Sequence, residues 1–401
     1  MDTRSRERYT LPMKRALANI LVLLLITAAY LLLWPVPADP VAWRAPTAPG
    51  YEGVHAVNER LTSLEMLPLG DNIGPEHVVA RVEDGQPWVW AAVSSVDHAS
   101  GRIIRMHPDG GAREVIFESS GRPLGFDFDS AGALIVADPM YGVHGGLLRV
   151  SGHGASATVE VLVDQINDEP LRYVDAVVVA SNGRIYFSDA STRFGPNAFD
   201  GTFNASVLEI LEHRKTGRVL EFDPATRRSR VLMHGLSFAN GVALSADEQF
   251  LFVAETGEYR IWKIAVTASE VTADEAIATR RDDVRVLLDN LPGYPDNLMR
   301  GEEGRIWGGF TKPRAPFADK AAASPWLRSL VLRLPRTMWP VPPAYGHVFA
   351  FDEAGRVLVD LQDPTGVYPE TTAVTEHAGR LYLQSLHASS LGVLDRRMAK
   401  F

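Results

Sequence analysis

The chain has 401 residues, of which 46% are hydrophobic and 22% charged, and a formal net charge of −9 at pH 7. That is the composition of a folded protein too large for one small core, and its acidity argues against a general nucleic-acid binder. There is no cysteine, which excludes disulfides, thiolate metal sites and cysteine nucleophiles, while 33 glycines and 26 prolines point to many turns between short strands.

In chain order, residues 1–15 form a basic tail in which Arg4, Arg6, Arg8, Lys14 and Arg15 outnumber Asp2 and Glu7. Residues 16–34 (ALANILVLLLITAAYLLLW) carry no charge, and at about 1.5 Å per residue they match the hydrocarbon thickness of a bilayer. A basic flank ahead of such a run holds the N-terminus in the cytoplasm and sends the chain beyond Trp34 to the extracytoplasmic side. The expectation is a retained single-pass anchor, one N-terminal transmembrane helix. The rival is a signal peptide cleaved after Val36-Pro37-Ala38, although such peptides usually have apolar regions of about 7–15 residues. Residues 35–53 contain PVPADPVAWRAPTAPG and read as a Pro-rich spacer between membrane and fold.

Over residues 54–401 one pattern recurs, a turn followed by an apolar strand that ends in a small or acidic residue. The copies are EDGQPWVWAAVS, SAGALIVADP, SNGRIYFSDA, ADEQFLFVAET, EEGRIWGGFT and HAGRLYLQSL, with turn positions at Gly85, Gly132, Gly183, Glu248, Gly304 and Gly379. Second strand pairs around their own turns, such as RVLEFDPATRRSRVLM, lie between them. Four strands per unit and six units predict an all-β domain, a six-bladed β-propeller. Residues 54–69 lie too far ahead of the first turn to belong to it. They are expected to supply the outer strand that closes the last blade and protects its edge.

Eight residues before each turn position lies the start of the innermost strand, which lines the central channel. That place is Leu124, Asp175, Asn240, Asp296 and Thr371 in units two to six, with Asn297 beside Asp296 and Glu76 the nearest polar residue in unit one. Converging carboxylates repel one another unless a cation sits among them. Oxygen ligands without His or Cys suit Ca2+ best, ahead of Mg2+. The plainer alternative is that these side chains hydrogen-bond backbone at the channel mouth.

At these residues the chain becomes recognisable. GPEHV, FANGVALSADEQFLFVAET, LPGYPDN and EHAGRLYL resemble the strictosidine synthase-like family, whose adipocyte plasma membrane-associated branch also has an N-terminal anchor. The resemblance covers nearly the whole chain and reaches more distantly to the paraoxonases and the gluconolactonase group. It implies a channel Ca2+ held by a Glu, two Asn and an Asp, which places metal ligands at Glu76, Asp175, Asn240 and Asp296, with Asn297 following the paraoxonase pattern. Three departures matter. Asp175-Ala176-Val177 stands where the family reads Asn-Asp-Leu, which makes the site more acidic. Thr372 stands where the strictosidine-forming enzymes carry their catalytic Glu, with Glu370 two residues away on the same strand face, so strictosidine synthesis is not expected. RPLGF offers Leu124 where the paraoxonase histidine dyad has its first His.

The chemistry that remains is metal-centred. The expected activity is a Ca2+-dependent hydrolase of esters or lactones, of the arylesterase or lactonase kind. The ion polarises the carbonyl of a small-molecule substrate, and Asp296 or Glu76 takes a proton from the attacking water. The alternative is a non-catalytic, membrane-tethered binding propeller in which Ca2+ only braces the channel. There is no Gly-x-Ser-x-Gly elbow to support a serine hydrolase. His387 could face the substrate, but a lone His is more often structural. Asp138, Asp189 and Glu255 end strands at equivalent places and read as hydrogen-bond acceptors for turns. Two insertions are expected to roof the channel, residues 192–217 with the helical pattern SVLEILEH and residues 311–346. In the second, PWLRSLVLRLPRTMW fits either a helix packed on the propeller or a segment dipping into the membrane interface.

Overall fold

The computed structural model describes residues 3–97 and 100–399, with side chains from residue 14 onward. Met1 and Asp2 of the basic tail, and the side chains of Arg4, Arg6 and Arg8, lie outside the described residues. A helix runs from Thr3 to Leu33, and its stretch Lys14–Leu33 has a mean hydropathy of 2.5 with none of it buried against the rest of the chain. By length and composition that stretch can cross a membrane.

The remainder is a six-bladed β-propeller. The innermost strands of the first five blades are Asn72–Glu83, Phe126–Phe128, Val174–Val179, Ala239–Leu244 and Gly293–Arg300. Each pairs outward through three further strands, and the third blade adds a short parallel fifth strand, Val271–Thr272, borrowed from between the strands of the fourth. The sixth blade begins at Thr371–His377 and runs through Arg380–Ser385 and Ser390–Asp395. Its fourth strand comes from the other end of the chain, Glu65–Pro68, with Glu65 opposite Val393 and Pro68 opposite Ser390. The ring therefore closes as the sequence predicts, and the last blade has no open edge on that strand.

The repeat exists because each blade is buried on both faces by its neighbours. Second strands such as Leu134–Asp138 and Ile185–Asp189 are buried at every position, so they read as continuous apolar runs rather than alternating ones. Trp262 packs with Val219 and Leu232 of the preceding blade, Trp307 with Val374 and Leu383 of the next, and Trp90 with Leu134 and Leu148. The core is thus a ring of clusters between blades, not one central mass. The turn before each second strand uses a left-handed residue, and five of the six are the glycines at 85, 132, 183, 304 and 379. The sixth, Glu248, holds φ at 55° and its carboxylate accepts from the Ser181 backbone and hydroxyl, tying the turn to the neighbouring blade.

The acids that end second strands are wholly buried acceptors. Asp138 takes Ser119 Oγ and the Arg122 and Met140 amides, Asp189 takes the Tyr173 amide and Arg218, and Glu255 takes the Ser237 amide, Arg260 and Trp262. Each is saturated by structural donors.

The two insertions form a roof. The first contains the helix Thr202–Glu212, the second the helices Pro316–Ala321 and Pro325–Leu332 and a short turn at Arg336–Met338. The Pro-rich segment after the span is not a free spacer, as its composition suggested. Ala38 is buried, Val41 N donates to Glu212 O at 2.8 Å, Trp43 N donates to Ala322 O at 3.1 Å, and the Trp43 ring stacks on His213 at 3.9 Å. Apolar and aromatic residues interleaved with the prolines give this strap a surface to bury.

Candidate active site

The innermost strands share a local irregularity. The pairing register shifts between Ile73 and His77, Val174 and Val177, Ala239 and Val242, Pro295 and Leu298, and Thr371 and Val374. Glu76, Asp175, Asn240, Asp296 and Thr372 each fall inside one of these bulges. A bulge frees a residue from the ladder and re-aims its side chain, which is how four of these blades present a polar group to one cavity. Glycines let the inner strands abut there: a Cβ on Gly241 would lie 2.3 Å from Leu298 N and 2.5 Å from Asp296 O, and one on Gly125 would lie 2.8 Å from Asp175 O.

Glu76, Asp175, Asn240 and Asp296 line one cavity of about 360 Å3, together with Arg122, Tyr173, Phe238 and His387. All four sequence-derived residues are no more than 7% exposed. Burial and the charges of Asp296 and Glu76 push the Asp175 carboxyl well above its ordinary range, with Arg122 opposing. Burial and Glu76 likewise push Asp296 well up, against hydrogen bonds from Asn240 and the Asn297 backbone. The carboxylates are close enough to destabilise one another's charge. Asn240 Oδ1 is buried without a hydrogen-bond partner, an expensive state for a carbonyl oxygen.

One expected member, Asn297, sits differently, and so does Thr372. Asn297 does not line the cavity; its side-chain amide donates to Glu76 O at 2.9 Å, a bond from blade five to blade one. Thr372 Oγ1 donates to the same carbonyl at 2.8 Å. Both residues fix the Glu76 backbone, and Thr372 has no carboxylate to offer a strictosidine-type reaction.

Sequence reasoning missed Arg122. Its Nη2 donates to Glu76 Oε2 at 3.1 Å and its Nη1 to Ser94 Oγ. It lies two positions before Leu124, which is buried with Tyr173 and Phe238, in the irregular stretch that leads into the inner strand Phe126–Phe128. The cavity's three buried carboxylates against one guanidinium leave two negative charges, apart from the exposed Asp200 in the same wall, which pairs with Arg336. A divalent oxygen-seeking ion would neutralise them and satisfy the orphaned Asn240 oxygen, so in charge and donor type the set suits Ca2+, while the three acids do not bring their oxygens within 4.8 Å of one another.

His387 is not a lone histidine. Its Nδ1 pairs with Glu370 Oε2, and Lys312 Nζ lies 2.8 Å from Glu370 Oε1. Burial raises the Glu370 carboxyl, but the hydrogen bonds from His387 and Lys312 outweigh it and hold the pKa at about 2. An ionised partner on Nδ1 fixes the imidazole and leaves Nε2 for the cavity.

A second polar cluster lies elsewhere, in blade five. His55 Nδ1 and His347 Nε2 lie 2.6 Å and 2.7 Å from Asp360 Oδ2, and among the described residues these three offer ligand atoms within 4.8 Å of one another. Asn58 and Gln362 donate to Asp360 Oδ1. The carboxylate therefore has four protein donors and is satisfied without an ion. The cluster latches residues 53–62 onto blade five. It was not legible beforehand because His55 and His347 lie at opposite ends of the chain.

The comparisons with known proteins agree with this architecture. Residues 175–269 match the strictosidine synthase family and residues 53–106 the strictosidine synthase-like N-terminal family. The chain is 32% identical over 284 residues to protein STRICTOSIDINE SYNTHASE-LIKE 10 of Arabidopsis thaliana, covering 69% of this chain and 70% of that one. It is 29% identical over 399 residues to human adipocyte plasma membrane-associated protein, covering 94% and 87%. Among solved structures, a gluconolactonase from Xanthomonas campestris superposes with a TM-score of 0.54 at 19% identity, covering 90% of this chain and 96% of that one. A calcium-binding protein, regucalcin, from Agrobacterium tumefaciens superposes with a TM-score of 0.50 at 12% identity, covering 82% and 93%. At such identities the solved structures speak for the fold alone. With the shared fold and a relative of this identity matched over most of its length, the chain belongs to the strictosidine synthase-like family.

Proposed function

We propose that this protein is a membrane-anchored, Ca2+-dependent hydrolase of esters or lactones. The observation that carries the reading is the cavity itself: three carboxylates and an unpartnered, buried Asn240 oxygen facing an open space large enough for a small substrate. The gluconolactonase and regucalcin likenesses add support at the level of fold.

Glu76, Asp175, Asn240 and Asp296 would hold the ion. When bound, it supplies a Lewis acid for a carbonyl oxygen. The chain's own residues do the rest. Glu76 is engaged by Arg122, which leaves it less free to meet a water. Asp296, whose carboxyl meets the Asn240 side chain and the Asn297 backbone rather than a guanidinium, is the better base of the two expected. It takes a proton from water as the water oxygen bonds to the acyl carbon; the acyl C–O bond then breaks and the leaving oxygen takes up a proton. His387, steered by Glu370, faces the same cavity and is placed to deliver that proton. Phe238 and Tyr173 form an apolar wall that limits water to the reacting face.

The test is hydrolysis of 4-nitrophenyl acetate and simple lactones by the full chain in lipid nanodiscs, with and without EGTA. Calcium-dependent turnover, reduced about a hundredfold or more by Asp296→Asn, is the expected result. A chain that retains calcium but hydrolyses neither substrate class would leave the binding propeller as the better description.

A further inference from the structure

We infer that the roof houses a hydrocarbon-chain subsite, so that the substrate is an amphiphile with an alkyl chain drawn from the lipid phase. The inference rests on the hydrolase reading for the fate of the bound molecule, but not for its binding. A second cavity of about 200 Å3 adjoins the polar one; the two share Phe203, Phe238, Asp296 and Leu386 in their walls. Beyond Asp296 the lining turns apolar, with Leu211, Phe317, Val331, Trp339 and Val341. Its ionic groups are already committed. Lys312 pairs with Glu370, and Arg328 spends its two Nη groups on the Leu211, Val41 and Ala322 carbonyls, with its buried Nε left without a partner. A polar cavity and an apolar one meeting at the proposed reacting group suit a molecule with a carbonyl head and a hydrocarbon tail.

The roof is also fastened to the end of the membrane span. Arg333 Nε donates to Trp34 O at 2.6 Å, and Tyr30 hydroxyl donates to Arg333 O at 3.0 Å. Arg333 lies two residues beyond Val331, which is in the cavity wall. Around this junction Trp34, Trp326, Met338, Val341 and Phe203 are 58%, 64%, 62%, 50% and 46% exposed. Apolar side chains at the level where a span leaves the bilayer belong in the interface. Val341 and Phe203 are both exposed and part of the cavity wall, so the apolar surface continues from the bilayer side into the cavity. The lipid phase, rather than bulk water, is the source this continuity fits.

Two measurements on the full chain in nanodiscs test the subsite. The first uses a non-hydrolysable long-chain alkyl methyl ether with a mid-chain diazirine, photolysed in the disc. Labelling should map to residues 202–212 and 311–342 and be blocked by the cavity-filling variants Ala318→Trp and Val207→Phe, whose folding is checked by melting. The second follows 4-nitrophenyl esters from two to eight acyl carbons. Their kcat/KM should rise about tenfold or more across the series, as burial of several methylenes predicts, and Ala318→Trp should flatten the rise. Labelling confined to residues 14–33, or a chain-length dependence that neither filled variant changes, overturns the subsite. Esters cleaved equally at all lengths without roof labelling would overturn it while leaving the hydrolase standing. Roof labelling without cleavage of any ester or lactone would support the subsite and remove the hydrolase reading alone.

Discussion

At the scale of single residues, the site is a balance of charge. Asp175 replaces the amide that its relatives are expected to carry, and it faces Asp296 and Glu76. Asp175→Asn should relieve that repulsion when no ion is bound. In excess EGTA its melting temperature should rise by about 2–4 °C, the response to about 1 kcal/mol in a large domain. The stabilisation it gains from calcium should shrink relative to wild type. Equal melting in EGTA would show that the three acids are not coupled. Glu370 supplies a pH dependence of known sign. Its folded pKa of about 2 lies below that of an unfolded Glu. The stability it contributes is therefore fully present above about pH 4.5 and lost as pH falls toward 2. Glu370→Gln should remove that component, so the acid limb of melting temperature against pH becomes shallower between these values. An unchanged limb would contradict the pairing with His387 and Lys312.

At the scale of elements, the strands were visible in the sequence because each blade is buried on both faces and its turns need left-handed residues. The closing strand at Glu65–Pro68 was legible for the same reason: apolar residues stranded ahead of the first turn need a partner. The register count found Asp175, Asn240 and Asp296 because bulges recur at the same place in successive blades. Asn297 came from the paraoxonase pattern rather than from that count, and its side-chain amide bonds the Glu76 backbone. Arg122 and the Glu370–His387 pair were hidden because their partners lie 46 and 17 residues away along the chain. The bulges also make a prediction. Gly241→Ala puts a methyl group against Leu298 N and Asp296 O, and should lower stability by about 1–3 kcal/mol with a larger loss of calcium affinity than Gly132→Ala, a turn position with open space around it. Similar calcium affinity in the two variants would show that the inner-strand contact does not shape the site.

At the scale of the whole molecule, the N-terminal helix, strap and roof form one connected structure. If residues 16–34 are retained, the mature protein should stay in the membrane fraction at full length, with the propeller protected from protease added to the cytoplasmic side; a mature N-terminus at Asp39 would contradict this. Calcium binding and ring stability are linked, since an ion that binds only the closed ring adds about 2.7 kcal/mol at a hundredfold excess over its Kd. The central claim is that the oxygens of Glu76, Asp175, Asn240 and Asp296 hold a calcium ion that the reaction needs. The most direct measurement is a calcium titration of ester hydrolysis by the chelated full chain, run beside Asn240→Ala. Wild-type activity should return with calcium along a saturating curve, and Asn240→Ala should need about tenfold or more calcium to reach half its maximum. Activity that persists unchanged in EGTA, or identical curves for the two proteins, would rule out a reaction that depends on calcium at these four residues.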